Sequence, residues 1–180
     1  MADIRLTKGN DDYTQAPGNR DNGDNIFGEE GDDIIRSYNG NVIGGPGNDT
    51  IQKILVPNEP WRQIIAAYWD GAPGKIVVDL EAGWALDGWG GRDTLIGVEE
   101  AAGGWNENEF YGSNNANRFF LGGGKNLVDG RGGNDTVNLP WFSSTVPAWS
   151  DFIFKVSIDG KSALITSPRQ ASFRVEMKNT

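Results

Sequence analysis

Along much of the chain, single apolar residues stand between short turns rich in Gly, Asn and Asp. In the second half of the chain an Asn or Asp marker recurs every nine residues, and an apolar residue follows it two positions later. The markers are Asn108, Asn117, Asn126 and Asp135, and the apolar positions are Phe110, Phe119, Val128 and Val137. This spacing predicts a tight turn followed by a very short strand whose middle side chain points inward.

An earlier stretch of the chain has the same pattern. The marker and apolar pairs are Asp11–Tyr13, Asp24–Ile26, Asp33–Ile35, Gly40–Val42 in a shortened turn, and Asp49–Ile51. Asp11 is equally compatible with an ordinary surface turn. The stretch "GWGGRDTLIG", with Asp93 and Leu95, has the features of an isolated turn ahead of the second array.

A single turn-and-strand unit cannot bury its one inward side chain, but stacked units can. Two arrays of such units predict an all-β fold with a narrow parallel core. The chain divides into a first array (1–52), an inter-array insertion with strands (53–87), a second array (88–138) and C-terminal capping strands (139–180), together one continuous domain.

The stacked turns also predict a metal site, because carbonyl and carboxylate oxygens from neighbouring coils converge between them. Calcium takes six to eight oxygen ligands and suits such a cage. Asp33 and Asp49 are sixteen residues apart, close to one full coil, so we expect their turns to form the best site. Asp24 is expected on the opposite edge, facing the turn around Gly40. The full expected set of metal ligands is Asp24, Asp33, Asp49, Asp135 and the turn residues Gly31, Gly44 and Gly47.

The second array departs from this pattern, because three of its four markers are Asn. An Asn offers a carbonyl oxygen but no charge, and calcium affinity falls with the number of charged ligands. One interpretation is a stacked Asn ladder that holds its turns by hydrogen bonds without metal. The alternative is one weak site at Asp135, which is expected to face Asn117 one coil away.

Composition excludes several classes of function. The chain has no Cys and no His, which excludes disulfides, zinc centres of the usual kind and catalysis by Cys–His or Ser–His–Asp groups. A net charge of −9 argues against nucleic acid and anionic membranes as partners. The N-terminal stretch has no apolar segment typical of a cleavable signal peptide, and no apolar run is long enough to span a membrane.

Seven Trp residues are the other notable signal. Exposed indole rings beside polar side chains can bind sugars by stacking on C–H faces while the polar groups bind hydroxyls. The expected sugar-binding set is Trp84, Trp89, Trp105, Asp87, Arg92 and Asn106, with Trp61 and Trp69 as the alternative location. The competing interpretation is that the Trp residues, including Trp141 and Trp149, cap the ends of a solenoid.

The stretches "GGPGNDTIQ" (44–52) and "GRGGNDTVN" (130–138) resemble the GGxGxDxUx repeat of RTX, or hemolysin-type, calcium-binding proteins. Residues 66–104 resemble the segment between arrays in large secreted RTX proteins, and the stretches "FIFKVSIDGKSALI" and "FRVEMKNT" resemble capping strands. The resemblance implies a right-handed parallel β-roll with flanking antiparallel strands, bound Ca²⁺, and type I secretion from a bacterial cell. It does not identify a ligand, because such rolls occur in toxins, proteases, lipases, adhesins and the R-modules of mannuronan C-5 epimerases.

The resemblance carries no catalytic motif, so we do not expect an enzyme. Glycoside hydrolysis needs two placed carboxylates, and Glu99, Glu100, Glu107 and Glu109 are candidates only by abundance. The function that we expect is a secreted, extracellular, calcium-stabilised module that binds a polysaccharide or cell-surface glycan. The alternative is a structural segment for calcium-triggered folding and secretion, or an adhesin domain of a larger RTX protein, from which the chain would be the N-terminal portion.

Overall fold

The computed structural model describes residues 2–19, 23–69, 71–122, 125–138, 153–156, 162–167 and 170–178. Within these ranges the structure is strands and turns, apart from one 3₁₀ turn at Pro17–Asn19. The all-β prediction is therefore confirmed. None of the helical structure in the described ranges is long and apolar enough to cross a bilayer.

The strands are short, because each is interrupted by a Gly- or Asx-rich turn. In chain order they are β1 (Asp3–Arg5), β2 (Asp12–Thr14), β3 (Asn25–Phe27), β4 (Ile34–Ser37), β5 (Gly40–Ile43), β6 (Thr50–Lys53), β7 (Ile64–Ala67), β8 (Ile76–Asp79), β9 (Trp84–Leu86), β10 (Arg92–Ile96), β11 (Glu100–Ala102), β12 (Asn108–Tyr111), β13 (Arg118–Phe120), β14 (Lys125–Asp129), β15 (Thr136–Asn138), β16 (Ile153–Val156), β17 (Ser162–Ser167) and β18 (Gln170–Lys178).

The strands form two sheets, and over most of its length the chain alternates between them. One sheet has seven strands in the order β1-β3-β5-β7-β11-β13-β15, and every pairing in it is parallel. The other has eleven strands in the order β16-β17-β18-β14-β12-β8-β9-β10-β6-β4-β2. Equivalent turns are therefore stacked at the sheet edges, as the repeat spacing predicts.

The eleven-stranded sheet contains two antiparallel interruptions. Strand β9 pairs antiparallel with both β8 and β10, so a hairpin lies in the middle of an otherwise parallel array. At one end, β16 and β17 pair antiparallel, β17 and β18 pair antiparallel, and β18 joins β14 in parallel. These three strands lie in the region expected to cap the fold.

The core is a column of single inward side chains from both sheets. The predicted apolar positions Phe110, Phe119 and Val128 are buried, and Val137 packs partly buried against the same cluster. The rings of Phe110 and Phe119 lie 5.4 Å apart, centroid to centroid, in a tilted arrangement. Each strand contributes one or two such side chains, which is why the core depends on stacking.

The turn that contains Asp93 is not isolated. Strand β10 pairs in parallel with β6, with Thr94 opposite Thr50 and Leu95 opposite Ile51. The stretch "GWGGRDTLI" therefore continues the first array directly, although most of the 53–87 segment intervenes in the sequence. That segment is itself part of the sheets, since β7 lies between β5 and β11 and β8 pairs with β12.

Candidate metal centre

Three turns of the first array and the turn that contains Asp93 form a column of aspartates joined through the backbone. The Asp11 N–H donates to Asp33 Oδ1 at 2.8 Å, the Asp33 N–H donates to Asp49 Oδ1 at 2.8 Å, and the Asp49 N–H donates to Asp93 Oδ1 at 3.0 Å. Asp33, Asp49 and Asp93 are almost completely buried. One carboxylate oxygen of each thus accepts a backbone N–H of the preceding coil. We call Asp33, Asp49 and Asp93 the acid column.

The local sequence permits this stacking because the turns approach each other at glycines. Gly45 has a φ of +100°, in the region that favours glycine, and a Cβ there would collide with the Glu29 carbonyl oxygen of the preceding turn. A Cβ on Gly47 would likewise collide with the Gly31 carbonyl oxygen. Side chains at these positions would push the coils apart and break the column.

Three buried carboxylate oxygens beside the column have no hydrogen-bond partner. They are Oδ2 of Asp33, of Asp49 and of Asp87, side chains that are 1%, 1% and 0% exposed. An uncompensated buried charge costs several kcal/mol. These oxygens therefore need either a proton or a cation.

Backbone carbonyl oxygens lie next to two of these unpartnered atoms. A Cβ on Gly28 would meet both the Gly44 carbonyl oxygen and Asp33 Oδ2, and a Cβ on Gly91 would meet both the Gly47 carbonyl oxygen and Asp87 Oδ2. The glycines thus leave open two cradles lined by carbonyl and carboxylate oxygens. Oxygen donors of this kind are what a hard cation such as Ca²⁺ prefers.

The acids alone do not form a compact metal-binding group. In the described ranges, no set of three or more His, Cys, Asp or Glu side chains is placed to hold a metal ion. Carbonyl oxygens such as those of Gly44 and Gly47 would have to complete the coordination. The donor set therefore fits calcium, which accepts carbonyl ligands, better than a metal that requires nitrogen or sulfur.

The electrostatics of the column reflect crowded, buried carboxylates. Burial raises the pKa of Asp49 to about 8, and the charges of Asp93, Asp33 and Asp87 push it in the same direction. Burial also raises the pKa of Asp93 to about 7, against the hydrogen bonds from the Asp49 N–H and the Tyr68 hydroxyl. The pKa of Asp33 is raised by burial as well. A nearby cation would reverse these shifts, because it favours the charged form.

Two members of this site were not expected from the sequence, Asp93 and Asp87. Asp87 Oδ1 accepts hydrogen bonds from the N–H groups of Trp89, Gly90 and Gly91 at 2.8–2.9 Å, which orients its other oxygen toward the Gly47 carbonyl. The signal for Asp93 was available, because "GWGGRDTLI" and "GGPGNDTIQ" place their Asp at the same position. The intervening segment concealed the relation.

The column ends on a residue of the insertion. The buried Tyr68 hydroxyl donates to Asp93 Oδ2 at 2.9 Å. Asp93 therefore has partners for both oxygens, whereas Asp33 and Asp49 each have one oxygen without a partner. The Tyr68 hydroxyl gives Asp93 Oδ2 a partner, as a cation would do for Oδ2 of Asp33 and Asp49.

Asp24 lies beside the seven-stranded sheet, whereas Asp33 and Asp49 precede strands of the eleven-stranded sheet. Asp24 directly precedes β3, and β3 pairs with β5 so that Asn25 lies opposite Asn41. The turn that contains Gly40 is therefore stacked on the turn that contains Asp24. Asp24 is buried, and its Oδ1 accepts from the Ala2 N–H at 2.8 Å. The facing turn supplies the Gly40 backbone and no second acid.

The second array uses amide groups where the first uses carboxylates. Asn108 Nδ2 donates to Asn126 Oδ1 at 2.8 Å across paired strands. Asn117 Oδ1 accepts from the Ser113 N–H at 2.6 Å, and its Nδ2 donates to Glu99 Oε2 at 2.7 Å. One Asn–Asn hydrogen bond thus joins stacked turns of the second array, and both ends of the Asn117 amide are satisfied.

Asp135 faces Asn117 as the spacing predicts. The Asn117 N–H donates to Asp135 Oδ1 at 2.9 Å, and a Cβ on Gly130 would collide with Asp135 Oδ2. The geometry repeats that of the first array, but the neighbouring turn offers an amide in place of a second carboxylate. Asp135 is also only half-buried.

The residues expected to bind sugar do not converge on one surface. Asp87 is fully buried beside the acid column, so a surface sugar cannot reach its carboxylate. Asn106 Nδ2 donates to the Ala72 carbonyl at 2.8 Å. The Arg92 guanidinium carbon lies 4.9 Å from the centre of the Trp84 ring, and Trp89 is partly buried against the core. Of the three Trp rings in this set, Trp105 is the one that is mostly exposed.

Other Trp residues are more open. Trp61 is 70% exposed, Trp105 is 67% exposed and Trp69 is 37% exposed. Trp141 and Trp149 lie outside the described residues. The alternative location around Trp61 and Trp69 therefore offers the larger exposed aromatic surface.

The four glutamates considered for hydrolysis each have a nearby partner of their own. Glu100 lies 3.5 Å from the Arg118 guanidinium, and Glu107 lies 3.8 Å from the Lys125 ammonium. Glu109 lies 2.7 Å from the Lys75 ammonium. Glu99 accepts hydrogen bonds from the side-chain amides of Asn115 and Asn117. Each carboxylate thus has a partner other than a second, facing carboxylate.

Comparison with known proteins gives no family assignment, because no protein-family model matches the chain and no curated protein is significantly similar to it in sequence.

Proposed function

We propose that the chain is a right-handed parallel β-roll of the RTX type, stabilised by calcium between its turns, that acts as a secreted, non-catalytic carbohydrate-binding module. One observation carries the calcium part of this proposal. Three buried carboxylate oxygens without hydrogen-bond partners lie in or beside stacked turns, two of them next to backbone carbonyls.

The residues that would hold calcium are Asp33, Asp49 and Asp87, together with the carbonyls of Gly44 and Gly47. The ion would supply positive charge that allows these carboxylates to stay ionised while buried. Asp33 and Asp49 also accept backbone N–H groups of the preceding coils, so loading the site would fix the spacing of the turns. Calcium would therefore act on folding, and no chemical step depends on it.

Secretion fits this use of calcium. Extracellular calcium-binding modules work at dissociation constants of about 10⁻⁴–10⁻³ M, so a site of ordinary affinity fills after export. Before filling, the buried acids oppose compaction, since burial and mutual repulsion raise the pKa of Asp49 to about 8. A chain of this kind would stay loose until it meets calcium.

The binding part of the proposal rests on an exposed aromatic ring. Trp61 keeps 70% of its surface in solvent, where it is available for stacking on a sugar. An indole stacked on a sugar ring contributes about 1 kcal/mol, in line with other aromatic contacts. Such contacts give micromolar to millimolar affinity for short oligosaccharides and stronger retention of polymers.

Calorimetry tests the calcium sites. Asp33→Ala and Asp49→Ala should each weaken calcium binding at least tenfold, and Asp135→Ala should weaken it less, because Asp135 faces an amide. Asp12→Ala is a control, since Asp12 is exposed and pairs with Arg36. If Asp135→Ala were the most damaging variant, the main site would be in the second array.

A purely structural role is the second candidate, either as a segment for calcium-triggered folding and secretion or as part of an adhesin. It is favoured by the fact that the acid column is well formed, whereas the six residues expected to bind sugar are dispersed. Electrophoresis through gels containing polysaccharides separates the two roles. A structural segment migrates at the same rate in every gel.

A further inference from the structure

A groove of about 580 Å³ crosses the outer face of the seven-stranded sheet. Its floor includes Asn41, Ile65, Glu100, Arg118 and Thr136, which are register partners on five successive parallel strands. Each precedes an inward side chain of the core, so the alternation along a strand points it outward. The groove therefore runs perpendicular to the strands.

The strand spacing sets the length of this groove. Four steps between neighbouring strands, at about 4.8 Å each, give roughly 19 Å from Asn41 to Thr136. That length accommodates several consecutive units of an extended polymer, and it exceeds what a single small metabolite needs.

Trp61 forms part of the groove wall and is 70% exposed. Beside it, Gln63 is held by the Lys53 ammonium, which donates to Gln63 Oε1 at 2.8 Å. The groove thus combines one open aromatic face with positioned polar groups. That combination is typical of sites that bind sugar rings.

The charges of the groove select among polymers. Its described charged lining residues are Glu99, Glu100 and Arg118, and Glu100 lies 3.5 Å from the Arg118 guanidinium. Glu99 accepts hydrogen bonds from the amides of Asn115 and Asn117. Glu99 and Glu100 are balanced by Arg118 and by Lys53 beside Gln63, so the groove has no excess of positive charge to attract an anionic chain. Amide and hydroxyl side chains supply both donors and acceptors for hydroxyl groups: Asn39, Asn41, Gln63, Asn134 and Thr136.

We infer that this groove binds a segment of a neutral, hydroxyl-rich polysaccharide, laid across the strands with one sugar stacked on Trp61. The inference rests on the proposed carbohydrate-binding function and gives it a location and a class of ligand. It moves the site away from Trp84, Trp89 and Trp105 to the face that carries Trp61.

Affinity electrophoresis in calcium buffer tests the assignment, with hydroxyethylcellulose, glucomannan and dextran as neutral probes and polygalacturonate as an anionic probe. Trp61→Ala should reduce affinity for the retarding neutral polymer about tenfold. Trp105→Ala is a matched control of nearly equal exposure, 67% against 70%, and should bind like the parent protein. The melting temperature in calcium should be unchanged in both variants.

A second variant tests the course of the groove. Thr136→Arg places a long side chain at an exposed position on the terminal strand of the sheet, and should weaken retardation by long polymers severalfold. Retardation that is lost in Trp105→Ala and kept in Trp61→Ala would overturn the groove assignment while leaving carbohydrate binding intact. Retardation by polygalacturonate alone would overturn the neutral ligand class. A parent protein that is retarded by no probe would overturn the carbohydrate-binding function itself.

Discussion

The two arrays hold their stacked turns together with different side chains. In the first, Asp33 and Asp49 use one oxygen to bind the preceding coil and leave the other without a partner. In the second, Asn117 occupies the equivalent place, and its amide nitrogen donates to Glu99. The change from carboxylate to amide replaces an acceptor by a donor and removes a charge. An Asn turn is therefore complete by itself, whereas an Asp turn requires a proton or a cation.

We expect this difference to make the two arrays respond differently to pH and calcium. The acid column carries raised pKa values and cradles lined by oxygen atoms. The markers of the second array are Asn until Asp135. Conditions that change protonation or calcium concentration should thus act first on the turns of Asp33, Asp49 and Asp93.

Removing calcium should have the largest effect. A ligand present at about 100 times its dissociation constant stabilises by about 2.7 kcal/mol, which corresponds to roughly 5–10 °C in melting temperature for a domain of this size. We expect a chelator to produce a loss of that order. Hydrogen exchange should show amides near Ile35, Ile51 and Leu95 opening before those near Phe110 and Phe119. Equal exchange in both arrays would contradict this difference between them, and unchanged melting would mean that the hydrogen bonds and aromatic core suffice.

The pH dependence of the metal-free protein should be the next largest effect. The folded-state pKa values of Asp49 and Asp93, about 8 and about 7, lie above the ordinary carboxyl value near 4. The folded state therefore holds protons that the unfolded state releases, and this stabilisation is complete below pH 4 and is lost as the pH rises toward 8. In chelator, the melting temperature should fall by several degrees between pH 5 and pH 8. Saturating calcium should remove most of this slope, and a slope of the opposite sign would refute the assignment.

Exchanging the marker residues should interconvert the two arrays. Asp49→Asn removes a buried carboxylate with an unpartnered oxygen, so we expect calcium affinity to fall at least tenfold, about 1.4 kcal/mol, while the metal-free protein becomes more stable. Calorimetry and melting in chelator measure the two effects. A variant that loses stability in chelator would show that the Asp49 carboxylate is already satisfied.

The reciprocal change is the control for that exchange. Asn117→Asp removes the amide donor to Glu99 and places a carboxylate beside another. It should destabilise the metal-free protein by about 1 kcal/mol or more. Added calcium should restore part of the loss, because Asp135 faces the same position. Restoration by magnesium to the same extent would indicate simple charge screening.

The smallest expected effect concerns the end of the acid column. Tyr68→Phe removes the hydroxyl that donates to Asp93 Oδ2. In buffer that contains calcium, it should lower the free energy of unfolding by about 1 kcal/mol. Tyr111→Phe is a matched control, since its hydroxyl lies 3.4 Å from Glu109 on the surface and should contribute little. Denaturant titration measures the free energy of unfolding of both variants. Equal effects would remove any special role for Tyr68.

Local repetition made much of this architecture predictable. The spacing of Asn108 to Asp135 predicted the inward column of Phe110, Phe119 and Val128, because one inward residue per unit is a local property. The pairing of Asp33 with Asp49 followed in the same way. The pairing of β10 with β6 could not be predicted in this way, because it depends on the three-dimensional path of the long segment between them.

The prediction of sugar-binding residues was limited in the same way, because it depends on tertiary structure. Composition identified the Trp residues, but exposure is decided by tertiary packing. Trp89 follows Asp87 in a Gly-rich turn and nevertheless packs against the core, while Trp61 in a Pro-rich stretch remains open. Asp87 was expected at the surface, yet three backbone N–H groups draw its side chain inward.

The pairing of β10 with β6 also has a consequence for the order of events in folding. Loop-closure cost grows by only about 0.6 kcal/mol for each doubling of length, so the long connection between Asp49 and Asp93 has little effect on equilibrium stability. Its effect on rate is larger, because non-local pairings slow folding. A nascent chain emerges N-terminus first, so the edge of β6 must wait for residues 92–96 to be made before it can be covered. Strand β6 is thus synthesised well before the strand that covers its edge.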